Sequence, residues 1–196
     1  MNAELVAGST VEKIINTALL MVQKRGFSGF SFRDVATEIG IKTASIHYHF
    51  PTKPDLARAV LSEVRGGFEQ ELRRIDIELP DTKDKLAAFV RIFDETFGDG
   101  DRLCPFCMVA CAQDGVPDYV KFEVQAFWSA GERWVAERIV EGQRTGIFDA
   151  TLSPNLSGRV LVSMLEGAMV TARAFDDRQR LENAAQWFMA TIETNQ

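Results

Sequence analysis

The sequence predicts an all-α protein, and three observations carry that prediction. Apolar residues recur at helical spacing, as in Val11, Ile14, Ile15, Ala18, Leu19 and Val22. Capping boxes, a Ser or Thr followed three residues later by an acid, stand ahead of such stripes. No segment sustains period-2 alternation with β-branched residues, so no strands are expected.

Ser9 and Glu12 open the first helix, and Lys24, Arg25 and then Gly26 close it. Ser31 and Asp34 open a second, short helix that ends near Ile39 before Gly40. A third runs from about Thr43 to His49 and is stopped by Pro51. Thr52 and Asp55 cap a fourth, from Lys53 through Val64 to a stop at Gly66-Gly67. Beyond Pro80 the helices lengthen, at about 82–97, 104–112, 117–143, 154–174 and 177–194. Gly98-Asp99-Gly100-Asp101, Gly115, Gly146 and Ser153-Pro154 are the breaks. The pattern divides the chain into a compact head at 1–65 and a larger helical body at 66–196, without repeats or low-complexity segments.

Hydrophobic residues make up 46% of the 196 and charged residues 26%, the balance of an ordinary globular protein. The longest apolar stretch, Val160 to Val170, is interrupted by Glu166 and Gly167 and is too short to span a bilayer. Met1-Asn2-Ala3-Glu4 offers neither a basic nor an apolar leader region, so no signal peptide is expected. Three cysteines crowd into eight positions at Cys104, Cys107 and Cys111, which is no secreted disulfide framework and suits a cytoplasmic protein. The net charge is −6, yet residues 21–53 carry five cations against two acids. A locally positive face on an acidic body can still attract phosphate.

Residues 31–50 carry the most specific pattern. Two short helices joined by a tight turn need a small residue where they cross, Ala36, and a turn residue that accepts positive φ, Gly40. Ile46 anchors the second helix from its inner face, with Val35, Ile39 and Ile41 completing a small core. This spacing is that of a DNA-binding helix-turn-helix. The outer face of the third helix then presents Lys42, Thr43, Ala44, Ser45, His47 and Tyr48. Its short side chains suit close approach to base edges. Arg33, His47, Tyr48 and Lys53 suit phosphates, which fix register. A purely structural helical hairpin is the bland alternative. The two histidines, His47 and His49, point to different faces and cannot form an i, i+4 metal pair, so no metal and no cofactor is expected.

Gly26-Phe27, Ser31-Phe32-Arg33-Asp34-Val35-Ala36, Gly40-Ile41, Ser45-Ile46-His47-Tyr48-His49-Phe50 and Thr52-Lys53 with Leu56 resemble the DNA-binding head of the TetR/AcrR family. The family commonly has Tyr-His-Tyr-Phe where His47-Tyr48-His49-Phe50 stands, so aromatic and imidazole groups trade places. It often has Lys or Pro near Thr43, a departure that bears on which bases are read. The resemblance implies a TetR-like fold: a three-helix head, and behind it a helical body that encloses an effector cavity and dimerises. It also implies a transcriptional regulator, by family habit a repressor, on a pseudo-palindromic double-stranded operator.

Pro105 suits a first helical turn, which places Cys107 and Cys111 one turn apart and Cys104 at the helix start. Core packing, metal binding through C-x-x-C and redox or electrophile sensing all compete. The metal reading lacks a fourth ligand, whereas Cys104 stands at a helix N-terminus beside Arg102. Leu103 to Ala112, then Val116-Pro117, Val120, Glu123-Val124, Phe127 and Trp134, more loosely resemble a TetR branch with cysteine-based electrophile sensors. That resemblance implies a reactive thiol at Cys104 or Cys107. Separately, Phe89, Phe93 and Phe97 recur at i+4 and are expected to face Phe122, Phe127, Trp128 or Trp134, across a pocket for a small apolar effector or simply within a core.

Leu161, Leu165, Ala168 and Ala172, with Leu181, Ala185, Phe188 and Ile192, follow helical spacing and are expected to build a four-helix homodimer interface; burial within one subunit is the alternative. The expected mechanism is release from the operator on cysteine modification or on effector occupancy, which shifts the fourth helix and spoils half-site spacing. If the cysteines are structural, the effector alone remains. A helical thiol redox enzyme is the reading from another class, but redox C-x-x-C motifs sit at strand-to-helix junctions, and neither a catalytic triad nor a carboxylate pair stands out. No enzymatic activity is expected.

Overall fold

The computed structural model describes residues 9–112 and 116–194. They form α1 (Thr10–Arg25), α2 (Phe32–Ile39), α3 (Thr43–His49), α4 (Lys53–Glu78), α5 (Thr82–Phe97), α6 (Pro105–Ala110), α7 (Asp118–Arg144), α8 (Pro154–Phe175) and α9 (Gln179–Ile192). A single 3-10 turn, Phe27–Gly29, follows α1. Among the described residues there is no strand, only an isolated bridge between Phe148 and Glu193. The expected break at Gly115 lies outside the described residues.

The capping boxes set the starts of the head helices. Ser9 N–H donates to the Glu12 carboxylate at 2.7 Å, and Ser31 and Thr52 repeat the arrangement with Asp34 (2.7 Å) and Asp55 (3.0 Å). The hydroxyls of Ser31 and Thr52 hold the carboxyls of Asp34 and Asp55 below the usual range. Gly40 ends α2 at φ 72°, the left-handed conformation the turn requires.

α4 departs from the sequence expectation. It passes through Gly66-Gly67 without a break and continues to Glu78. Two mid-helix glycines cost about 1 kcal/mol each, but Phe68, Leu72 and Ile75 are buried beyond them and outweigh that cost. Arg65, just before them, is bonded to Glu69 (2.7 Å) and to Glu123 of α7 (3.0 Å). The helix stops where Pro80 forces Leu79 out of the helical region, at φ −107° and ψ 118°. One rigid element therefore runs across the expected division at 65/66.

In the body, α7 lies against α8, α4 and α5. A Cβ on Gly158 of α8 would stand 2.2 Å from the Glu132 carbonyl oxygen, so α7 and α8 approach backbone to side-chain-free backbone. Trp134 Nε1–H donates to Asp76 at 2.9 Å, and Lys85 pairs with Glu141 at 2.9 Å, pinning α4 and α5 to α7. None of the described helices is long and apolar enough to cross a membrane.

Candidate functional site

The head presents α3 outward. Ile46, Val35 and Ala36 are buried, while Ile39 and Ile41 are half-buried. With that face committed, Lys42, Ala44, His47 and Tyr48 are exposed and Thr43 and Ser45 partly so. Tyr48 stands 83% exposed, so its ring and hydroxyl are free to meet a partner. The His47 ring meets Phe32 edge-on at 4.8 Å, and its Nδ1 lies 3.4 Å from the Pro51 carbonyl, which fixes its direction. Arg33 is exposed in the first turn of α2.

Two basic residues of the head are otherwise engaged. Lys24 pairs with Asp101 at 2.6 Å, tying α1 to the loop before α6. Lys53 was expected to face a phosphate. Its ammonium instead donates to the Phe30 carbonyl and lies over the rings of Phe27 (5.0 Å) and Phe30 (4.3 Å). A lysine four carbons from the backbone at the start of α4 reaches back to the turn that precedes α2, a contact no local pattern announces.

Between α4, α5, α6 and α7 lies a cavity of about 180 Å³. Val64, Gly67, Phe68 and Glu71 of α4 line it with Ile92, Phe93 and Thr96 of α5, Phe127 of α7, and Cys104, Pro105 and Phe106 at the start of α6. Phe106 and Phe127 stack at 3.8 Å to form one wall. Of the expected effector residues, Phe93, Phe127 and Cys104 are thus brought together. Phe97 lies under Arg178 beside Gly100, Trp134 stacks on Phe89 at 5.5 Å, and Trp128 turns to Glu166. Phe122 is 64% exposed. The α4 contribution was missed because the helix was expected to end at Gly66-Gly67, just before Phe68. A larger groove of about 770 Å³ between α1 and α4 is open to solvent, with Asp55, Arg58, Ser62, Glu63 and Gln70 among its walls.

The cysteines differ from one another. Cys104 is buried, Cys107 half-buried and Cys111 exposed. Burial, then the adjacent Glu166 carboxyl, pushes the Cys104 thiol well above its ordinary value. Burial and Glu166 likewise push Cys107 up to about 12. The expected cation is absent from Cys104, because the Arg102 guanidinium donates to the Glu95 carbonyl at 3.3 Å. Neither Cys104 nor Cys107 is therefore a poised thiolate. Glu166 accepts a bond from Trp128 Nε1 at 3.0 Å, and its own burial raises its pKa.

The eight residues expected at a dimer interface all turn inward. Leu161, Leu165, Ala168 and Ala172 of α8 and Leu181, Ala185, Phe188 and Ile192 of α9 are buried within the single subunit. Helical spacing marks these residues as apolar, and in the single subunit its own core covers them, which is the alternative of burial within one subunit. Opposite it, Leu156, Val160, Val170 and Phe175 of α8 and Trp187 of α9 remain exposed. These side chains have a helical spacing of their own, and their sequence signal is weak because polar and glycine residues interleave with them.

Residues 14–60 match the family model described as bacterial regulatory proteins, tetR family. The chain is 24% identical to the HTH-type transcriptional repressor DhaR of Mycobacterium sp. strain GP1, over 81% of this chain and 80% of that protein. It superposes with a TM-score of 0.86 on a TetR transcriptional regulator from Legionella pneumophila, 29% identical over 96% of this chain and all of the other. A TetR-family regulator from Agrobacterium tumefaciens gives a TM-score of 0.88 at 24% identity, over 94% and 97% of the two chains. These relatives are regulators rather than enzymes. Residues 14–60 are a DNA-binding domain of the tetR family, and the chain as a whole is similar in sequence and fold to TetR-family transcriptional regulators of near-equal length.

Proposed function

We propose that the protein is a dimeric repressor that leaves its operator when a small apolar molecule enters the cavity beneath α4. Thr43, Ala44 and Ser45 approach base edges; Arg33, Lys42, His47 and Tyr48 position the head on the backbone. Lys53 acts indirectly, by fixing the turn before α2 against the start of α4. The dimer forms through the outward faces of α8 and α9. Its heads enter successive major grooves about 34–36 Å apart.

One observation carries this reading: α6 serves two contacts at once. Pro105 and Phe106 wall the cavity. On the other side of the same segment, Leu103 N–H donates to the Gln23 carbonyl of α1 at 3.1 Å, and Met108 packs against Gly26. An occupant that pushes Phe106 outward therefore pushes on α1. A second link runs through Tyr119 of α7, whose hydroxyl donates to Asp55 in the cap of α4 at 3.2 Å.

The cavity also limits the ligand. An apolar protein cavity of about 150 Å³ accepts benzene, so about 180 Å³ suits a one-ring aromatic or a short aliphatic molecule. Thermal denaturation in the presence of toluene, p-cresol and a naphthalene derivative tests this. One-ring probes should raise the midpoint, by about 2.7 kcal/mol of stabilisation at 100 times Kd, while the two-ring probe has no effect. A midpoint unmoved by every one-ring probe would contradict the cavity as the effector site. Release by thiol modification is the weaker reading, since Cys104 and Cys107 are held in the protonated form.

A further inference from the structure

The C-terminus of α1 is capped largely by the body. A helix leaves its last four carbonyls without partners from within. At the end of α1 the Gly26 N–H returns to the Val22 carbonyl at 2.9 Å. The next two carbonyls are met from far along the chain. The Gln23 carbonyl accepts the Leu103 N–H at 3.1 Å, and the Lys24 carbonyl accepts a guanidinium N–H of Arg173 in α8 at 2.7 Å. The Arg173 cation also faces the negative end of the α1 dipole. The Lys24 ammonium pairs with Asp101 in the same loop as Leu103. That loop is held in turn by Arg178, which bonds Asp94 at 2.5 Å and the Gly98 carbonyl. Both grips on α1 therefore lead back to the end of α8 and the turn that follows it.

This arrangement fixes more than a helix end. α1 packs against α2 and α4, so the head moves with it. The head joins the body through α4, and a single helix leaves rotation about its own axis weakly restrained. Attachments off that axis remove the freedom. Arg173 supplies one from the last two turns of α8, where Val170 and Phe175 stand exposed on the outward side.

From this geometry we propose that Arg173 is a positioning residue for two-site DNA binding. It locks each head to the helix that joins the two copies, so that one separation of half-sites is accepted and others are refused. The inference rests on the reading of a dimer through the outer faces of α8 and α9, and it is independent of the cavity.

The test locates the bound site by footprinting on DNA from upstream of the gene, then measures affinity for that site and for a copy with two base pairs inserted at its centre. The insertion turns one half-site by about 70° and moves it about 7 Å. It should weaken binding by the parent about 100-fold, since both heads can no longer engage together. Arg173→Ala should bring that ratio down to about tenfold or less. Its affinity for a duplex with a single half-site and its urea midpoint should stay at the parental values. Arg173→Lys, which keeps a cation and a donor, should restore most of the ratio. A parental ratio in Arg173→Ala would overturn the role of Arg173 and leave the two-headed dimer standing. Weaker binding to the single half-site at an unchanged ratio would also overturn it, by making Arg173 a support of the head alone. A parent indifferent to the insertion would overturn the two-headed reading itself, and this inference with it.

Discussion

The Lys53 ammonium over Phe27 and Phe30, with its bond to the Phe30 carbonyl, ties the first turn of α4 to the segment that delivers α2. Desolvation lowers the pKa of this lysine, and Asp34 opposes that effect. A charged hydrogen bond and a cation–π contact at a half-buried site are worth about 2–4 kcal/mol together. Lys53→Ala should lower unfolding stability in urea by that amount while leaving the salt slope of DNA binding unchanged. A lowered slope at parental stability would return Lys53 to the phosphates. Glu166 gives the pH-dependent prediction at this scale. Its pKa is raised in the folded chain by burial, so the folded state holds its proton to higher pH than the unfolded state does. Its contribution is fully present below the ordinary carboxyl value and is lost as pH rises through the raised one. Glu166→Gln should flatten that fall and be more stable than the parent at neutral pH; an unchanged pH profile would show that Glu166 ionises freely in place. Neither residue was legible as an anchor in the sequence, since both partners lie far along the chain.

At the scale of elements, α1, α2 and α3 were legible to within a residue because their boundaries are local. Ser9, Ser31 and Gly40 each decide a helix end through contacts within four residues. The end of α4 was not legible, because burial of Phe68, Leu72 and Ile75 against other elements overrides two glycines. The same error hid Phe68 and Glu71 from the expected cavity. Gly66 has open space around a would-be Cβ, and its conformation is ordinary helix. Gly66→Ala should therefore stabilise the protein by about 0.5–1 kcal/mol, measurable as a higher urea midpoint. Destabilisation would mean that α4 needs a flexible centre for a reason the packing does not reveal.

For the whole molecule, the inward turn of Leu165 and Phe188 leaves the outer stripe of α8 and α9 exposed, and this is the face proposed to join two copies. Burial class, unlike helical period, depends on which neighbours exist, so the sequence marked the apolar faces without saying what covers them. Trp187→Glu, at a side chain 60% exposed, should turn the dimer into a monomer in sedimentation velocity with little change in monomer stability. A persistent dimer would place the interface elsewhere. Release of DNA on occupancy of the cavity beneath α4 can be read in one titration. Labelled duplex from upstream of the gene is titrated with reduced protein at fixed salt, with and without a one-ring aromatic probe whose occupancy is verified by its stabilisation of the fold. Specific binding should weaken about 5–150-fold with the probe in place. Equal affinity in the two titrations, with occupancy established, would contradict it.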